Sequence, residues 1–343
     1  MKLVMIGFGV VGQGLAEILR AKRDDLQTRH GFAPTIVGVA TRSRGSLLRL
    51  DGLDPDGLLA AMLSGGLDAY PDAAGLERGL LPQDILTASG ADVMVETSYT
   101  NLDTAQPALD YCRAALNANM HVVMANKGPV ALAYDELAEL AARHGKHLGF
   151  EATVMAGTPS LRLALNALAG CEIREARGIL NGTTNYILTE MESGMSYANA
   201  LAQAQALGYA EADPGGDVDG WDAAAKALIV ARAVFGVPLS LSDLDVSGIS
   251  AITPEDVAAA RAAGERWKLI AHVTLEGGSV RAQRIPISHP LAGVSGPTNA
   301  ITYTTDLLGD VTLVGPGAGR QQTGFGLLAD LLDIQRDHLS RKP

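Results

Sequence analysis

The sequence predicts an α/β protein in which a doubly wound parallel sheet is followed by an α+β domain. Short apolar runs alternate with helical patterns up to about residue 150, a glycine-rich turn joins the first run to the first helix, and the alternation loses its regularity beyond that point. Strands that alternate with helices are linked by crossovers, which makes their sheet parallel and buries both of its faces.

The first apolar run is Lys2–Ile6, and the stretch Leu15–Ala21 after the glycines carries Leu15, Ile18 and Leu19 on one helical face. Further strands are expected at Thr35–Ala40, Asp92–Val95 and His121–Ala125, then a helix over Tyr134–His144 and another strand over Leu148–Val154. Beyond it, a helix over Asp222–Phe235 and a strand over Ala271–Leu275 indicate a mostly antiparallel second sheet. A last helix, about Gly324–Leu339, bears a stripe of Leu327, Leu328, Leu331 and Leu332 and is expected to return to the first domain. The expected organisation is a dinucleotide-binding domain over 1–149, a substrate-binding and dimerisation domain over 150–305, and a returning segment over 306–343.

A chain of 343 residues suits two domains. With 47% hydrophobic and 19% charged residues and no low-complexity tract, the composition is that of a folded globular protein. A formal charge of −11 without a basic cluster argues against a nucleic-acid partner. Cys112 and Cys171 lack the close spacing of a zinc or redox site and read as buried thiols in a reducing compartment. Glycines follow the short apolar N-terminus at once, and no segment offers the roughly 18 apolar residues of a membrane span, so a cytoplasmic protein without a membrane partner is expected.

Gly7, Gly9 and Gly12 form G-x-G-x-x-G between a strand and a helix, the setting of a Rossmann-type dinucleotide turn. The first glycine allows the tight turn, the second lets backbone approach a pyrophosphate, and the third permits helix–strand packing, while the helix N-terminus favours negative charge. Phe8, Val10 and Val11 complete the turn. An acidic residue at the end of the second strand would bind the ribose of NAD, but the run there is Thr41-Arg42-Ser43-Arg44. Two arginines and two hydroxyls suit a 2′-phosphate, which favours NADP over NAD, unless Arg42 and Arg44 are only solvated loop charges.

Between Gly208 and Lys226 five carboxylates precede one lysine. Pro214 and the glycines make the first part a loop, and Asp222 and Lys226 share a helix face at i, i+4. Alone, that pair would be an ordinary helix salt bridge. In its setting the carboxylates can hold a substrate ammonium, and the lysine can donate a proton to a carbonyl. Asn181-Gly182-Thr183-Thr184-Asn185-Tyr186 reads as a substrate-binding turn, an N-capped helix start, or both. Lys127, in Ala125-Asn126-Lys127-Gly128-Pro129, stands at the carboxyl end of the fourth strand, where doubly wound sheets bind ligands.

These four segments, Gly7–Gly12, Ala125–Pro129, Asn181–Leu188 and Gly208–Lys226, resemble the motifs of homoserine dehydrogenases in order and spacing. The pieces His289-Pro290-Leu291-Ala292, Asn299-Ala300 and Gly315–Gly319 are similar to that family's closing segments, so the resemblance covers almost the whole chain. It implies NAD(P)-dependent interconversion of L-homoserine and L-aspartate 4-semialdehyde, a step of threonine and methionine biosynthesis, with this small amino acid as substrate. Lys226 then resembles the proton donor, Asp222 its charged partner and Lys127 a second proton-relay group near the nicotinamide. Glu211 and Asp217 match the substrate carboxylates, with Thr183 and Tyr209 beside them. Thr97, Ser98, Lys127 and Gly319 join the cofactor residues. Glu151, Val154, Ala156 and Thr158 resemble a loop that holds a monovalent cation, often sodium, mainly through carbonyls. The resemblance also implies a homodimer or homotetramer, and a chain without the C-terminal regulatory domain that some members append. Another NAD(P)-dependent amino-acid dehydrogenase and a catalytically silent NADP-binding paralogue are the alternatives, and the presence of both lysines speaks against the second.

Overall fold

The computed structural model describes residues 1–340. The chain forms two compact units, Met1–Gly157 with the segment from Gly319 onward, and Thr158–Ala318. Residues 150–157 thus belong to the first unit, and 306–318 to the second, where the sequence reading set its boundaries at 149/150 and 305/306.

Among the described residues, the first unit holds seven strands: β1 Lys2–Ile6, β2 Thr35–Ala40, β3 Ser46–Leu48, β4 Glu77–Arg78, β5 Val93–Glu96, β6 His121–Met124 and β7 Leu148–Gly149, in the order β4-β3-β2-β1-β5-β6-β7. β1 pairs in parallel with β2 and β5, β5 with β6 and β6 with β7, whereas β2–β3 and β3–β4 are antiparallel. The sheet is therefore mixed rather than wholly parallel, because a tight return after Ala40 adds β3 at one edge and the chain later comes back to add β4 beyond it. Leu3, Val4 and Met5 are fully buried, as a strand covered on both faces must be. The strand order reverses direction at β1, which opens a crevice at the carboxyl ends of β1 and β5.

The helix Val10–Ala21 buries Leu15, Ile18 and Leu19, and packs on the C-terminal helix Arg320–Ser340. That packing is backbone to backbone. A Cβ on Gly14 would clash with the Arg320 carbonyl, and one on Gly324 would lie 2.8 Å from the Gly14 carbonyl carbon. Leu327, Leu328, Leu331 and Ile334 then join Leu3, Met5 and Leu15 in one core.

Several elements depart from the sequence reading. The helix expected at Tyr134 begins at Lys127, because the Asn126 side chain caps it by accepting from the Gly128 N–H, and Pro129 fits a first turn. A break at Ala133, with φ −140°, separates the two parts, and only the second was read from its periodicity. The strand expected over Leu148–Val154 is two residues long and gives way to a single turn at Glu151–Thr153. β5 runs one residue later than expected, and the last helix starts at Arg320. Cys112 is buried, but Cys171 is half-buried.

The second unit has six strands: β8 Ile173–Ile179, β9 Asp245–Ser247, β10 Glu265–Thr274, β11 Gly277–Pro286, β12 Thr298–Thr305 and β13 Gly309–Pro316, in the order β13-β12-β8-β10-β11-β9. All pairs are antiparallel except β11–β9. The helices Gly182–Glu192 and Trp221–Phe235 pack on this sheet. Trp221–Phe235 is buried from Ala223 through Ala231, so its alanines let it sink against the sheet and carry Lys226 inward with them. No described helix is long and apolar enough to cross a membrane.

Candidate active site

In the first unit, the glycine turn is built as its spacing requires. Gly7 has φ +92°, and its N–H donates to the Ala40 carbonyl at 2.8 Å. A Cβ on Gly12 would stand 2.9 Å from the Gly7 carbonyl oxygen. Gly9 is the N-cap of Val10–Ala21 without any side-chain cap, no acidic residue lies in that helix's first turn, and nothing lies within 4 Å of where its Cβ would be. The helix N-terminus thus presents uncapped N–H groups and a positive dipole end to open space, which fits a pyrophosphate. Phe8 is buried beneath the turn, Val10 is exposed and Val11 half-buried.

Arg42, Ser43 and Arg44 are exposed in the return between β2 and β3. The Thr41 hydroxyl holds that return by accepting from the Arg44 N–H and donating to the Gly45 carbonyl, both at 2.8 Å. Gly319 has φ +128° at the head of the C-terminal helix. The Thr97 hydroxyl donates to the Gly7 carbonyl at 2.7 Å, so the end of β5 is tied to the glycine turn. Ser98 follows it, and Lys127 opens the helix after β6, immediately beyond Asn126. The residues assigned to a dinucleotide therefore collect at the carboxyl ends of β1, β2, β5 and β6, together with Gly319.

In the second unit, Lys226 is 7% exposed. Its Nζ donates to Asp222 Oδ2 and to the Leu180 carbonyl, each at 2.7 Å. Two of the three ammonium hydrogens are thus held by described residues, leaving the third for a ligand oxygen. The helix periodicity supplies the Asp222 contact, and the other comes from Leu180, just beyond β8. Asn181 then knits the centre together. Its Nδ2 donates to Asp217 Oδ1 at 2.6 Å and to Asp222 Oδ2 at 3.0 Å, while its Oδ1 accepts from the Thr184 N–H at 2.9 Å and caps Gly182–Glu192. The turn is therefore both an N-cap and part of the site.

Burial, with the Asp222 charge second, raises the Asp217 carboxyl above its usual range, while the Asn181 amide, the Lys226 ammonium and the Thr183 hydroxyl oppose the rise. The Thr183 hydroxyl donates to the Tyr209 carbonyl at 2.6 Å, and the Tyr209 ring meets Tyr186 edge-on with centroids 5.1 Å apart. Glu211 is exposed on the loop, its backbone carbonyl accepting from Gln205 Nε2 at 3.0 Å. The structure brings Lys226, Asp222, Asp217 and Thr183 together and leaves the Glu211 carboxyl outside that network.

Glu151 is 3% exposed, and its N–H donates to Asp330 Oδ2 at 3.1 Å. Val154 is buried, Ala156 has φ +51°, and Thr158 lies in the second unit, where its hydroxyl donates to the Pro316 carbonyl at 2.9 Å. No group of three or more His, Cys, Asp and Glu side chains among the described residues has a metal-binding arrangement. Three residues that organise these side-chain networks are not singled out by the sequence as site residues: Asn181, which enters it only as part of its turn, Asn126 and Glu96. The first two had a signal, an asparagine just before a helix start, and Glu96 had another, a carboxylate closing the apolar run Val93-Met94-Val95.

A glycine turn at the reversal point of a doubly wound sheet, and a buried lysine set among carboxylates, define an NAD(P)-dependent oxidoreductase. Residues 7–151 match the homoserine dehydrogenase NAD-binding domain, and residues 159–332 match homoserine dehydrogenase itself. The chain belongs to the homoserine dehydrogenase family. It is 42% identical over 340 residues to an NAD(+)-dependent homoserine dehydrogenase of Pseudomonas canavaninivorans, covering 98% of this chain and 96% of that one. It is 40% identical to the homoserine dehydrogenase of Methanocaldococcus jannaschii, covering 97% of this chain and 98% of the relative. The solved homoserine dehydrogenase of Thiobacillus denitrificans superimposes with a TM-score of 0.84 at 32% identity, covering 100% of this chain and 76% of that chain. A hyperthermophilic archaeal homoserine dehydrogenase mutant, solved in complex with NADPH, gives a TM-score of 0.84 at 30% identity, with 98% of both chains covered.

Proposed function

We propose that this chain interconverts L-homoserine and L-aspartate 4-semialdehyde, and that Lys226 is its proton donor. The observation that carries the reading is the buried Lys226 ammonium, fixed by Asp222 and the Leu180 carbonyl with one N–H left for a substrate oxygen. The coenzyme, when bound, supplies the hydride to the aldehyde carbon or accepts it from the alcohol carbon. Lys226 donates its free N–H to the aldehyde oxygen and passes it the proton as the alcohol forms. Asp222 keeps the ammonium oriented throughout, and Asn181 keeps Asp222 and Asp217 oriented in turn. Asp217 takes the substrate ammonium, Glu211 adds its charge from the exposed loop, and Thr183 and Tyr209 shape the site beside them. Lys127 acts as the second relay group on the coenzyme side.

The coenzyme residues are Gly7–Gly12, Thr41, Arg42, Ser43, Arg44, Thr97, Ser98, Lys127 and Gly319. The exposed Arg42 and Arg44 beside the end of β2, in place of a carboxylate, support NADP over NAD. For a monovalent cation such as sodium, the family resemblance is the support, and the residues it assigns are Glu151, Val154, Ala156 and Thr158, which would offer oxygen donors. Free thiols at Cys112 and Cys171 accord with a reducing cytoplasmic setting, and self-association as a homodimer or homotetramer completes the reading.

The test is homoserine-dependent reduction of NADP and of NAD by the purified protein, beside Lys226→Ala. Reduction by wild type, with a loss on the order of 10²–10⁴-fold in kcat for the variant, supports the assignment. A wild type that binds coenzyme yet ignores homoserine refutes the substrate, and a fully active variant refutes the role of Lys226.

A further inference from the structure

Glu96 closes β5 between Ile6 and Met124 of the neighbouring strands and is wholly buried. Its Oε1 accepts from the Ser98 N–H at 2.8 Å, from the Ser98 hydroxyl, and from Asn126 Nδ2 at 3.4 Å. Asn126 Nδ2 also lies 3.3 Å from the Ser98 carbonyl and 3.2 Å from the Tyr99 carbonyl, while Asn126 Oδ1 caps the helix that starts at Lys127. Thr97, the residue between Glu96 and Ser98, ties this junction to the Gly7 carbonyl. Residues 97–99 and 125–128 thus meet at one carboxyl group, and Thr97 ties that junction to the glycine turn. Its second oxygen, Oε2, is buried without a hydrogen-bond partner among the described residues.

We propose that Glu96 is a positioning residue for coenzyme binding, whose buried carboxyl sets Ser98 and Lys127 relative to the glycine turn. The inference rests on the assignment of those residues to the coenzyme. A serine or amide could satisfy the same donors without the desolvation cost of a carboxyl, so the choice of Glu at this position calls for a role. Burial pushes this carboxyl up to about 7, with the hydrogen bonds from Ser98 and Asn126 opposing the rise. Tyr111 and Cys112 face it from the helix Ala108–Asn117, both pushed up and neutral near pH 7, and Lys127 follows Asn126 on the adjoining helix. The neutral acid fits the junction. Ionisation places a charge in a wholly buried site, so the junction loosens and coenzyme binding weakens as pH rises through about 7.

The experiment titrates NADPH and NADH into wild type, Glu96→Gln and Glu96→Ala across that pH range, following nicotinamide fluorescence, with the melting temperature recorded for each protein. Glu96→Gln keeps the acceptor and mimics the neutral acid. Its coenzyme Kd is expected to match the low-pH wild-type value and to lose the dependence on pH. Glu96→Ala removes the acceptor and is expected to weaken Kd on the order of tenfold at every pH, while KM for homoserine at saturating coenzyme is unchanged. A pH step that persists in Glu96→Gln, or a folded Glu96→Ala that binds coenzyme like wild type, overturns the proposal. If Glu96→Ala does not fold, the pH profile of Glu96→Gln decides alone. Failure of the homoserine assay would refute the substrate assignment without touching this binding series, so the two can fail separately.

Discussion

The buried carboxyl of Glu96 also makes a prediction about stability that needs neither coenzyme nor substrate. In the unfolded chain Glu96 ionises near its ordinary value of 4.5, whereas in the folded protein burial holds it protonated up to about 7. Between those values the unfolded state releases a proton that the folded state keeps, so this residue costs the fold progressively more stability as pH rises. Above pH 7 both states are ionised and the cost levels off. The gap between 4.5 and about 7 corresponds to about 3 kcal/mol. Glu96→Gln removes the titration and keeps the hydrogen-bond acceptor. Urea unfolding of the two proteins between about pH 4 and about pH 8 should show similar stability at the acid end and a growing advantage for the variant, approaching about 3 kcal/mol. Every other titrating group is common to both proteins and cancels in the difference. Parallel curves for the two proteins would show that the carboxyl ionises near its ordinary value, and would refute the reasoning from burial.

Two glycines of the first helix should separate folding from binding. Gly14→Ala forces a Cβ into the Arg320 carbonyl and should cost about 2–3 kcal/mol in denaturant unfolding, whereas Gly9→Ala meets nothing and should leave stability unchanged while weakening coenzyme binding on the order of tenfold. Replacing Arg42 and Arg44 together by alanine should raise KM for NADP on the order of tenfold and leave KM for NAD within about twofold, since only the former carries a 2′-phosphate. Equal effects on both coenzymes would identify these arginines as solvated loop charges.

Much of this protein was legible in sequence because the physics concerned is local. The glycine turn depends on residues a few positions apart and on one strand and one helix that announce themselves by periodicity. The Asp222–Lys226 pair follows from helix geometry, and the Asn181 cap from an asparagine ahead of a helix start. Only the second half of the helix that starts at Lys127 shows in the sequence pattern, because the break at Ala133 interrupts its period. What turned these pieces into a site was contact between distant segments. Asn181 bridges Asp217 and Asp222 across 36 and 41 residues, and the Leu180 carbonyl reaches Lys226 across 46. Glu211, equal to Asp217 in sequence as a candidate, remains on the exposed loop.

The sequence by itself determined the fold class, the dinucleotide turn and the identity of the lysine and carboxylates, since strand and helix periods, glycine conformations and i, i+4 pairing are properties of short stretches. The tertiary structure alone decided which carboxylates meet the lysine and that Glu96 joins Ser98 to Asn126. It also decided that the C-terminal helix closes on Gly14. Burial and long-range hydrogen bonding depend on where the sheets bring the chain together, and that information is spread over the whole fold.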